Sequence, residues 1–324
     1  MSNTAGIEFH DHHPRVDDFR EEVVRGLTSK PKRISPKFFY DKRGSELFDC
    51  ITELDEYYPT RAELSILEEH AAEIAGLIGH DCLLIEYGSG SSRKVGLLLD
   101  ALEGDLTYVA IDISREHLLE ACRRLSEACP KLEVIAVCAD YSKPFPLPTP
   151  KRGEPKNKVV FFPGSTIGNL SPEQAILFLC NTARQLGPGG SLLIGVDLKK
   201  DESTLHAAYN DAERVTAAFN LNLLERINQE LDADFDPSAF RHRAFYNHER
   251  GRVEMHLVSL KTQTIRLNGT AVRFDEGESI HTENSYKFSI EEFQQLAARA
   301  GFEPVQVWTD RKKLFSLHYL TVAG

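Results

Sequence analysis

Between residues 81 and 197, short apolar runs alternate with segments of helical periodicity. The apolar runs are CLLIEYG from Cys82, YVAIDI from Tyr108, LEVIAVCADY from Leu132, KVVFFPG from Lys158 and GGSLLIGVDL from Gly189. Helix-compatible segments such as HLLEACRRLSEAC and PEQAILFLCNTARQL separate them. Regular alternation of buried strands and helices is typical of a parallel sheet with helices on both faces. We therefore predict an α/β fold with a doubly wound sheet.

The regions on either side of this pattern predict a second domain. Residues 201–285 begin with helical sequence and end in the strand-like runs MHLVSLKTQTIRL and TAVRF, and residues 16–60 precede the first strand. After them, SIEEFQQLAARAGF predicts a helix that ends near Gly301, and PVQVWTD and LFSLHYLTV are strands that can return to the sheet. The predicted divisions are an N-terminal segment 1–60, a core 61–200, an insertion 201–286 and a return to the core over 287–324.

Composition narrows the class of partner. The chain has 324 residues, of which 41% are hydrophobic and 27% charged, and no run approaches the roughly 20 apolar residues of a membrane helix. Lys and Arg total 38 against 49 Asp and Glu, a net charge of −11, so the chain lacks a global electrostatic attraction for nucleic acid. We expect a small-molecule substrate, no nucleic acid, no membrane and a monomer.

The cysteines and the first residues indicate a cytoplasmic protein. None of the six cysteines forms a C-x-x-C pair, and several lie in apolar runs, which favours reduced thiols. The start, MSNTAGIEFHDHHPRVDDFREE, lacks the basic and apolar regions of a secretory signal. The cluster His10–His13 is expected to be a flexible tail, because no partner ligands are spaced for a metal. We predict no metal site, and a solvated connection over Pro144–Asn157.

The strongest local motif is EYGSGSSRK, which closes the first strand and opens a helix. Gly88 and Gly90 allow a tight turn. A dinucleotide-binding fold has a third glycine where this chain has Arg93, so a nicotinamide or flavin enzyme is disfavoured. A nucleoside cofactor without phosphates needs only the first turn, which favours S-adenosylmethionine (SAM). The alternative is an ordinary structural turn.

Acidic residues end the next two strands. Asp112 follows the second strand, where a carboxylate can accept hydrogen bonds from a ribose diol. Asp140 and Tyr141 end the third strand, where a carboxylate can accept from an adenine amino group and the ring can flank it. Either acid alone would be an ordinary solvated strand end. Together with the glycine turn they predict a ligand site, because open α/β sheets bind ligands at the carboxyl ends of their strands.

Three further segments carry polar groups. In FFPGSTIGNLSPEQ, Ser171, Pro172 and Gln174 predict a capped helix start, and Asn169 just before it is either a ligand-binding amide or an Asx turn. Upstream, Thr60 and Glu63 predict a second capping box. There Tyr57 and Tyr58 are either functional or packed in the core, and the pattern does not choose between them.

In HTENSYKF, an extended backbone places Glu283 and Ser285 on one face, where they suit the edge of an imidazole ring. The alternative is an exposed strand without a ligand.

With these segments considered together, the chain resembles the histidine Nα-methyltransferases of ergothioneine biosynthesis. The resemblance rests on FFYDKRGSELFDCITELDEYYPTRAE, IEYGSGSSRK, FFPGSTIGNLSPEQA and HTENSYKF, and extends from about Lys32 to the C-terminus. It implies a Rossmann-like class I methyltransferase core and an α+β substrate-binding domain formed by the N-terminal segment and the insertion. It also implies SAM as cofactor, and L-histidine with its mono- and dimethyl intermediates as substrates. The product would be hercynine, or trimethylhistidine, in the first step of the pathway.

The resemblance also implies site residues. The cofactor-binding positions are Gly88, Lys94, Asp112, Asp140 and Tyr141. Those that contact histidine are Tyr57, Asn169, Tyr209, Glu283 and Ser285, with Asn169 and Tyr209 at its polar end and the others around the imidazole. Tyr40 and Gly164 lie near the amine, Met255 lines the side-chain pocket, and Tyr40 and Asn169 are the catalytic candidates.

Two residues depart from the family's pattern, and three other functions stay open. Tyr87 stands where Leu is familiar and is expected to alter packing beneath the cofactor, while Asn284, where Val is familiar, is expected to face away from the pocket. The alternatives are methylation of another aromatic amino acid or indole amine, a cofactor-binding regulator that has kept the fold, and an NAD-linked oxidoreductase, which Arg93 disfavours.

Overall fold

The computed structural model of the protein describes residues 7–12, 16–90, 92–143, 145–151, 153 and 155–324. His13, Ser91 and Pro144, which belong to segments named above, lie outside the described residues. The chain divides into two compact units. The core unit contains residues 7–12, 59–199 and 287–324, and the second unit contains residues 16–58 and 200–286.

The strands and helices are numbered along the chain. The strands are β1 (Glu8–His12), β2 (Lys32–Arg33), β3 (Cys82–Tyr87), β4 (Thr107–Asp112), β5 (Glu133–Ala139), β6 (Asn157–Phe162), β7 (Ser191–Asp197), β8 (Phe240–Asn247), β9 (Arg252–Ser259), β10 (Gln263–Leu267), β11 (Thr270–Phe274), β12 (Ser279–Tyr286), β13 (Phe302–Thr309) and β14 (Phe315–Val322). The α-helices are α1 (Val16–Thr28), α2 (Lys42–Glu53), α3 (Tyr58–Ile78), α4 (Ser92–Ala101), α5 (Arg115–Ala128), α6 (Pro172–Leu186), α7 (Glu202–Tyr209), α8 (Val215–Leu231) and α9 (Ile290–Arg299). Short 3₁₀ helices span Pro36–Phe39, Thr166–Asn169 and Pro237–Ala239.

An eight-stranded sheet forms the centre of the core unit. Its order is β1-β5-β4-β3-β6-β7-β14-β13, with every neighbouring pair parallel from β1 to β7 and antiparallel pairs from β7 to β13. The chain adds β4 and β5 on one side of β3, then β6 and β7 on the other, so the direction of winding reverses between β3 and β6. The predicted doubly wound α/β sheet is confirmed, as is the return of the last two strands to it.

Continuous apolar sequence explains why these strands lie inside. Every residue of β3 and β7 is buried, and their sequences, CLLIEY and SLLIGVD, do not alternate between apolar and polar. Parallel strands covered by helices on both faces require such sequences. On α5, Leu118 and Cys122 are buried in the core cluster that also contains Leu84, Ala110 and Ala136 from the strands.

The predicted flexible tail at the histidine cluster is wrong. Its first three residues lie in β1, which extends the sheet by parallel pairing with β5, so that His10 is opposite Val137. On β1, the His10 ring lies 2.7 Å from a Glu8 oxygen, and Asp11 lies 3.6 Å from the Arg115 guanidinium. Residues 7–12 therefore belong to the core sheet and not, as the 1–60 division has it, to the second unit. The strand β1 is held by backbone hydrogen bonds to the edge strand β5. Its sequence, EFHDH, has no apolar periodicity from which a strand could be predicted.

The second unit contains α-helices and a four-stranded sheet of order β2-β12-β9-β8, together with the hairpin β10-β11. Helix α8 packs against α2, β8 and β9, and it buries Phe219, Leu223 and Ile227. The arrangement is α+β. That this unit binds the substrate stays a prediction.

Two helix starts were predicted, and one is confirmed. The Ser171 hydroxyl accepts from the Gln174 N–H at 3.2 Å, and the Gln174 side chain accepts from the Ser171 N–H at 2.9 Å. The box at Thr60 is wrong, because α3 already begins at Tyr58 and Thr60 lies inside it. Glu63 is instead a fully buried side chain.

All six cysteines are free thiols. Burial raises the pKa of Cys82 to about 11 and that of Cys122 and of Cys138 to about 12, which keeps these three protonated. Among the helices of the described residues, none has the length and apolar character needed to cross a bilayer.

A buried histidine in β14 links the core unit's stability to pH. His318 is fully buried, its Nε2 lies 2.9 Å from the Ser316 hydroxyl, and its ring centroid lies 4.8 Å from that of Phe293. Its Nδ1 has no hydrogen-bond partner among the described residues. Burial lowers the pKa of His318 from 6.5 to about 4, because a charged imidazole would lose its hydration there.

We predict that stability falls in acid through His318. Between pH 6.5 and pH 4 the imidazole of His318 is protonated in the unfolded chain but stays neutral in the folded protein. The free energy of unfolding therefore decreases as the pH falls toward 4, and this group contributes about 3 kcal/mol to the decrease. Urea unfolding at pH 7 and pH 4 measures the decrease, and His318→Gln should make it smaller by that amount. An equal decrease in the variant and the wild type would contradict the prediction.

Candidate active site

A tight turn at the end of β3 begins the site in the core unit. Gly88 has a φ of +75°, and its N–H donates to the Ile111 carbonyl at 2.8 Å. The Gly90 N–H donates back to the Gly88 carbonyl at 2.9 Å. A Cβ at Gly90 would lie 3.6 Å from His117 Nε2 and one at Gly88 3.8 Å from the Tyr141 hydroxyl, which are ordinary contact distances, so it is the backbone conformation and not lack of room that favours glycine at position 88. The positive φ explains the glycine at position 88.

Asp112 stands at the end of the neighbouring strand. Its Oδ1 accepts from the Ser114 N–H at 2.8 Å, and its side chain is half-buried. Burial raises the pKa of Asp112 to about 6, against the hydrogen bond from the Ser114 N–H and the electrostatic effect of the nearby His117, which lower it. At neutral pH the group is therefore a carboxylate with hydrogen-bond acceptors at the rim of the sheet.

An aromatic platform follows β5. The Tyr141 ring lies parallel to that of Tyr87, with 5.6 Å between centroids and 10° between planes, and edge-on to Phe162 at 5.7 Å. The Tyr87 hydroxyl donates to Gln185 on α6. Beside the platform, Asp140 accepts from the N–H and the hydroxyl of Ser142 at 3.1 and 2.5 Å. The unusual Tyr87 thus supports Tyr141, and the face of an aromatic ring suits a nucleobase.

Glu86, on the strand just before the glycine turn, was not predicted as a site residue. It is fully buried and accepts a hydrogen bond from the Tyr108 hydroxyl. The pKa of Glu86 is raised to about 8, mainly by burial and to a smaller extent by the nearby acids Asp112 and Glu63, while the hydrogen bond from Tyr108 and the charge of Lys94 oppose the rise. The group is mostly protonated at neutral pH.

Lys94 reaches a second residue that sequence reasoning missed. Its ammonium lies 2.7 Å from Glu63 Oε2, and the Gly164 N–H donates to both oxygens of the same carboxylate. The signal was present in α3, where Glu63 falls on the same helical face as the buried Ile66, Leu67 and Ile74. The capping interpretation of Glu63 concealed it.

Hydrogen bonds hold the loop after β6 against other parts of the core unit. Gly164 and Ser165 have φ values of +76° and +56°, and the Ser165 hydroxyl accepts from the Asp197 N–H at 2.8 Å. Asn169 ends the 3₁₀ helix just before the cap of α6, and it is half-buried. Its side chain forms no hydrogen bond with another described residue, which argues against the Asx turn. The position of the Asn169 side-chain amide therefore follows from the backbone of the 3₁₀ helix and not from hydrogen bonds of the amide itself.

The register of β9 and β12 decides which polar groups share a face in the second unit. Glu283 pairs with Met255 and Ser285 with Val253, whereas Asn284 pairs with Glu254. Paired residues point to the same side of a sheet, so Glu283 and Ser285 share the Met255 face, as their spacing predicted, and Asn284 lies on the other.

A bulge between His281 and Glu283 puts these two residues on opposite faces of the sheet. Without it, simple alternation would put His281 on the same face as Glu283. The bulged residue, Thr282, is buried, and its hydroxyl donates to Asn220 Oδ1 at 2.8 Å and to the Met255 carbonyl at 3.1 Å. The alternation of polar and apolar residues in this segment does not predict the bulge.

Tyr209, the last residue of α7, joins the same face. Its hydroxyl donates to the Ser285 hydroxyl at 2.7 Å, and its carbonyl accepts from His242 Nε2 at 2.9 Å. The other ring nitrogen of His242 accepts from the Asn220 amide at 2.9 Å. Burial lowers the pKa of His242, in keeping with a neutral ring that donates on one side and accepts on the other.

The two remaining tyrosines surround Phe48. The ring centroid of Phe48 lies 5.6 Å from that of Tyr40 and 6.3 Å from that of Tyr57, edge-on in each case. Both tyrosines are half-buried. Tyr58 is buried, and its hydroxyl accepts from Lys200 at 2.7 Å. The structure therefore separates the packed Tyr58 from the more accessible Tyr57, a choice that the sequence pattern left open.

The predicted site residues thus fall into two groups. Gly88, Lys94, Asp112, Asp140, Tyr141, Gly164 and Asn169 lie in the core unit, and Tyr40, Tyr57, Tyr209, Met255, Glu283 and Ser285 lie in the second unit. Their roles stay predictions.

The opposite face of β9 and β12 carries a further cluster, Glu254, His256 and His281, whose ligand-type atoms all lie within 4.8 Å. The two imidazoles stack with 4.7 Å between ring centroids and 10° between ring planes, so their in-plane lone pairs lie in two nearly parallel planes. Burial alone would raise the pKa of Glu254, but hydrogen bonds from Arg252 and His256 lower it to about 2. This geometry is that of an ion-pair network on the sheet, and the prediction of no metal site stays a prediction.

Comparison with known proteins supplies what the geometry alone does not. Residues 19–322 match the family model described as "Histidine-specific methyltransferase, SAM-dependent". The histidine N-alpha-methyltransferase of Mycolicibacterium smegmatis is 43% identical over 307 residues, which cover 93% of this chain and 94% of the relative. Ergothioneine biosynthesis protein 1 of Neurospora crassa is 33% identical over 90% of this chain but only 33% of its own length. The 4-dimethylallyltryptophan N-methyltransferase easF of Claviceps purpurea is 27% identical over 95% of this chain and 96% of its own.

These matches confirm the predicted class of enzyme and its cofactor, and they set aside the NAD-linked alternative. The family model spans both units of the chain, and the first relative matches it almost end to end. The chain belongs to the family of histidine-specific, SAM-dependent methyltransferases.

Proposed function

We propose that the chain transfers three methyl groups from SAM to the α-amino group of L-histidine. The product is trimethylhistidine, the first intermediate of ergothioneine biosynthesis. The observation that carries the proposal is the shared face of Glu283, Ser285 and Met255, which offers a carboxylate, a hydroxyl and an apolar wall to one ring. We further propose that the protein acts in the cytoplasm as a monomer without nucleic acid.

The core unit's residues fit SAM. The tight turn at Gly88, at the end of β3, allows the close backbone approach that an adenosine moiety requires. Asp112 offers acceptors for the ribose hydroxyls and Asp140 for the adenine amino group, while Tyr141 flanks the base. Lys94 provides a positive charge for the carboxylate of the methionine moiety. Bound SAM supplies an electrophilic methyl group on a sulfonium.

The second unit's residues fit histidine. Glu283 accepts from one imidazole N–H, and a hydroxyl can donate to the second ring nitrogen. An indole ring lacks that second nitrogen, so the Ser285 side of the face discriminates against it. This difference favours histidine over the tryptophan derivative named for the Claviceps relative.

The residues near the amine assist a transfer in which net charge is conserved. With SAM bound, the neutral α-amine would form a bond to the methyl carbon as the bond from that carbon to sulfur breaks, so that positive charge would move from sulfur to nitrogen and a neutral thioether would leave. Positioning at about 3 to 3.5 Å supplies most of the rate enhancement. The amide of Asn169 can donate to the substrate carboxylate and accept from the amine, and a tyrosine face such as that of Tyr40 stabilises an ammonium by about 0.5–2 kcal/mol. The amine must lose a proton before each further round.

We expect purified protein incubated with SAM and L-histidine to form mono-, di- and trimethylated products. Mass spectrometry with fragment analysis measures the increments and assigns them to the α-nitrogen. Tryptophan, phenylalanine and indole amines serve as competing substrates. Methylation of the ring, a preferred indole substrate, or tight SAM binding without turnover of any amine would contradict the proposal, and the last outcome would favour the regulator.

Replacing Glu283 by Ala should remove the preference for histidine. A site built to accept an imidazole N–H loses its discrimination when the acceptor is absent, so kcat/KM for histidine should fall by about 100-fold while that for phenylalanine changes little. Steady-state kinetics with both substrates measures the ratio. Asn284→Val is the matched control on the opposite face and should keep the wild-type ratio. An unchanged histidine preference in Glu283→Ala would refute the role of Glu283.

SAM affinity should depend on pH through Asp112. Since the pKa of Asp112 is raised to about 6, the carboxylate that accepts from the ribose is protonated below that pH, and affinity should fall several-fold between pH 7 and pH 5. Calorimetric titration with SAM measures the change. In Asp112→Asn, affinity should be lower at pH 7 and nearly constant over this range. The same pH dependence in the variant would show that another group is responsible.

A further inference from the structure

Glu63 is a buried carboxylate that the proposed function does not use. Its side chain has no exposed surface, yet three elements of the core unit meet at it. It comes from α3, the ammonium of Lys94 from α4 lies 2.7 Å from its Oε2, and the Gly164 N–H after β6 donates to Oε2 at 2.9 Å and to Oε1 at 3.1 Å.

The fold leaves space for this carboxylate. A Cβ added at Gly195, in the middle of β7, would lie 2.1 Å from Glu63 Oε1 and 2.9 Å from the Phe315 ring. Any larger residue at position 195 would displace the carboxylate. The other residues of β7 are Val, Ile and Leu, with a polar residue at each end. A glycine inside a strand weakens it and often marks a place where another group comes close to the backbone, as the Glu63 carboxylate does here.

Stability alone does not account for such a pair. Removing two charges from water costs several kcal/mol per ion, and apolar residues of similar volume often serve a fold as well or better. The Lys94 side chain keeps 15% of its surface exposed, so it is buried at the carboxylate and open on another side. A lysine ammonium has three N–H donors, and Glu63 takes one of them.

We propose that Glu63 is a positioning residue for cofactor binding, an inference that rests on the proposed role of Lys94. The carboxylate fixes the Lys94 ammonium in one place, from which another N–H meets the carboxylate of SAM. Through the Gly164 N–H it also fixes the start of the loop that ends at Asn169. One buried side chain thereby sets the cofactor-contacting lysine and the substrate-contacting loop in a common arrangement.

A double-mutant cycle tests whether Glu63 acts through Lys94. Calorimetric titration with SAM is compared for wild type, Glu63→Gln, Lys94→Met and the double variant. We expect Glu63→Gln to weaken SAM binding by about 10-fold, Lys94→Met at least as much, and the double variant no more than Lys94→Met. Wild-type affinity in Glu63→Gln, or effects that multiply in the double variant, would overturn the proposal. The readout is binding, so it is independent of which amine the enzyme methylates.

A matched buried ion pair controls for a general loss of stability. Asp197 and Lys287 of the core unit lie 2.6 Å apart and are each 1% exposed. Asp197→Asn should lower the free energy of unfolding while leaving the affinity for SAM unchanged. If Asp197→Asn weakened SAM binding as much as Glu63→Gln, the effect would be structural and the proposal would fail.

A second measurement avoids substitution of Glu63, in case that variant does not fold. Hydrogen exchange of the Gly164 amide is followed by NMR in wild type and in Lys94→Met. Loss of the lysine should release the carboxylate, and exchange at Gly164 should become about 10-fold faster, with no change at the amides of β4. Unchanged protection of Gly164 would show that Lys94 and the loop are not held by a common carboxylate.

Discussion

The order of the parallel strands is the constraint on which the core unit depends. Because β4 and β5 are added on one side of β3, and β6 and β7 on the other, the segments that follow β3 and β6 leave adjacent strands in diverging directions. A crevice forms at such a reversal, at the carboxyl ends of the strands. The glycine turn at Gly88 and the loop that begins at Gly164 both arise there, and Glu63 joins the second of them to Lys94. Topology thus determines where polar residues can gather, and a few buried bonds determine how they are held.

In the second unit, the register of an antiparallel sheet determines which polar groups lie on the same face. Strict alternation would place His281, Glu283 and Ser285 together. The bulge at Thr282 moves His281 to the face of Glu254 and His256, where the two imidazoles stack and His256 hydrogen-bonds to the Glu254 carboxylate. The Met255 face keeps the Glu283 carboxylate and the Ser285 hydroxyl, which the Tyr209 hydroxyl joins. The bonds of Thr282 to Asn220 and to the Met255 carbonyl stabilise this irregularity.

Features encoded by local pattern could be predicted from the sequence. The buried strands, the capped start of α6 and the shared face of Glu283 and Ser285 each follow from residues close together in the chain. Features that depend on distant partners could not. The strand β1 exists because β5 offers a free edge, and Glu63 became a core residue because Lys94, Gly164 and Gly195 surround it. Thr60 and Glu63 also fit the pattern of a capping box. The local sequence does not show whether Glu63 caps a helix or is buried in the core, because that depends on residues far away in the chain.

The protonation of the core unit's acids fits a reaction that moves charge away from the cofactor. Glu86 is mostly protonated at neutral pH and Glu63 is ion-paired with Lys94, so Asp112 is the one of these three acids that is ionised without a lysine or arginine partner among the described residues. Several fixed anions would stabilise the sulfonium in the ground state more than in the transition state, where its charge has begun to pass to nitrogen. Interactions that favour the ground state in this way slow the chemical step. On the proposed cofactor site, burial of Glu86 and pairing of Glu63 would let acidic residues serve in hydrogen bonding and positioning without holding the positive charge at sulfur.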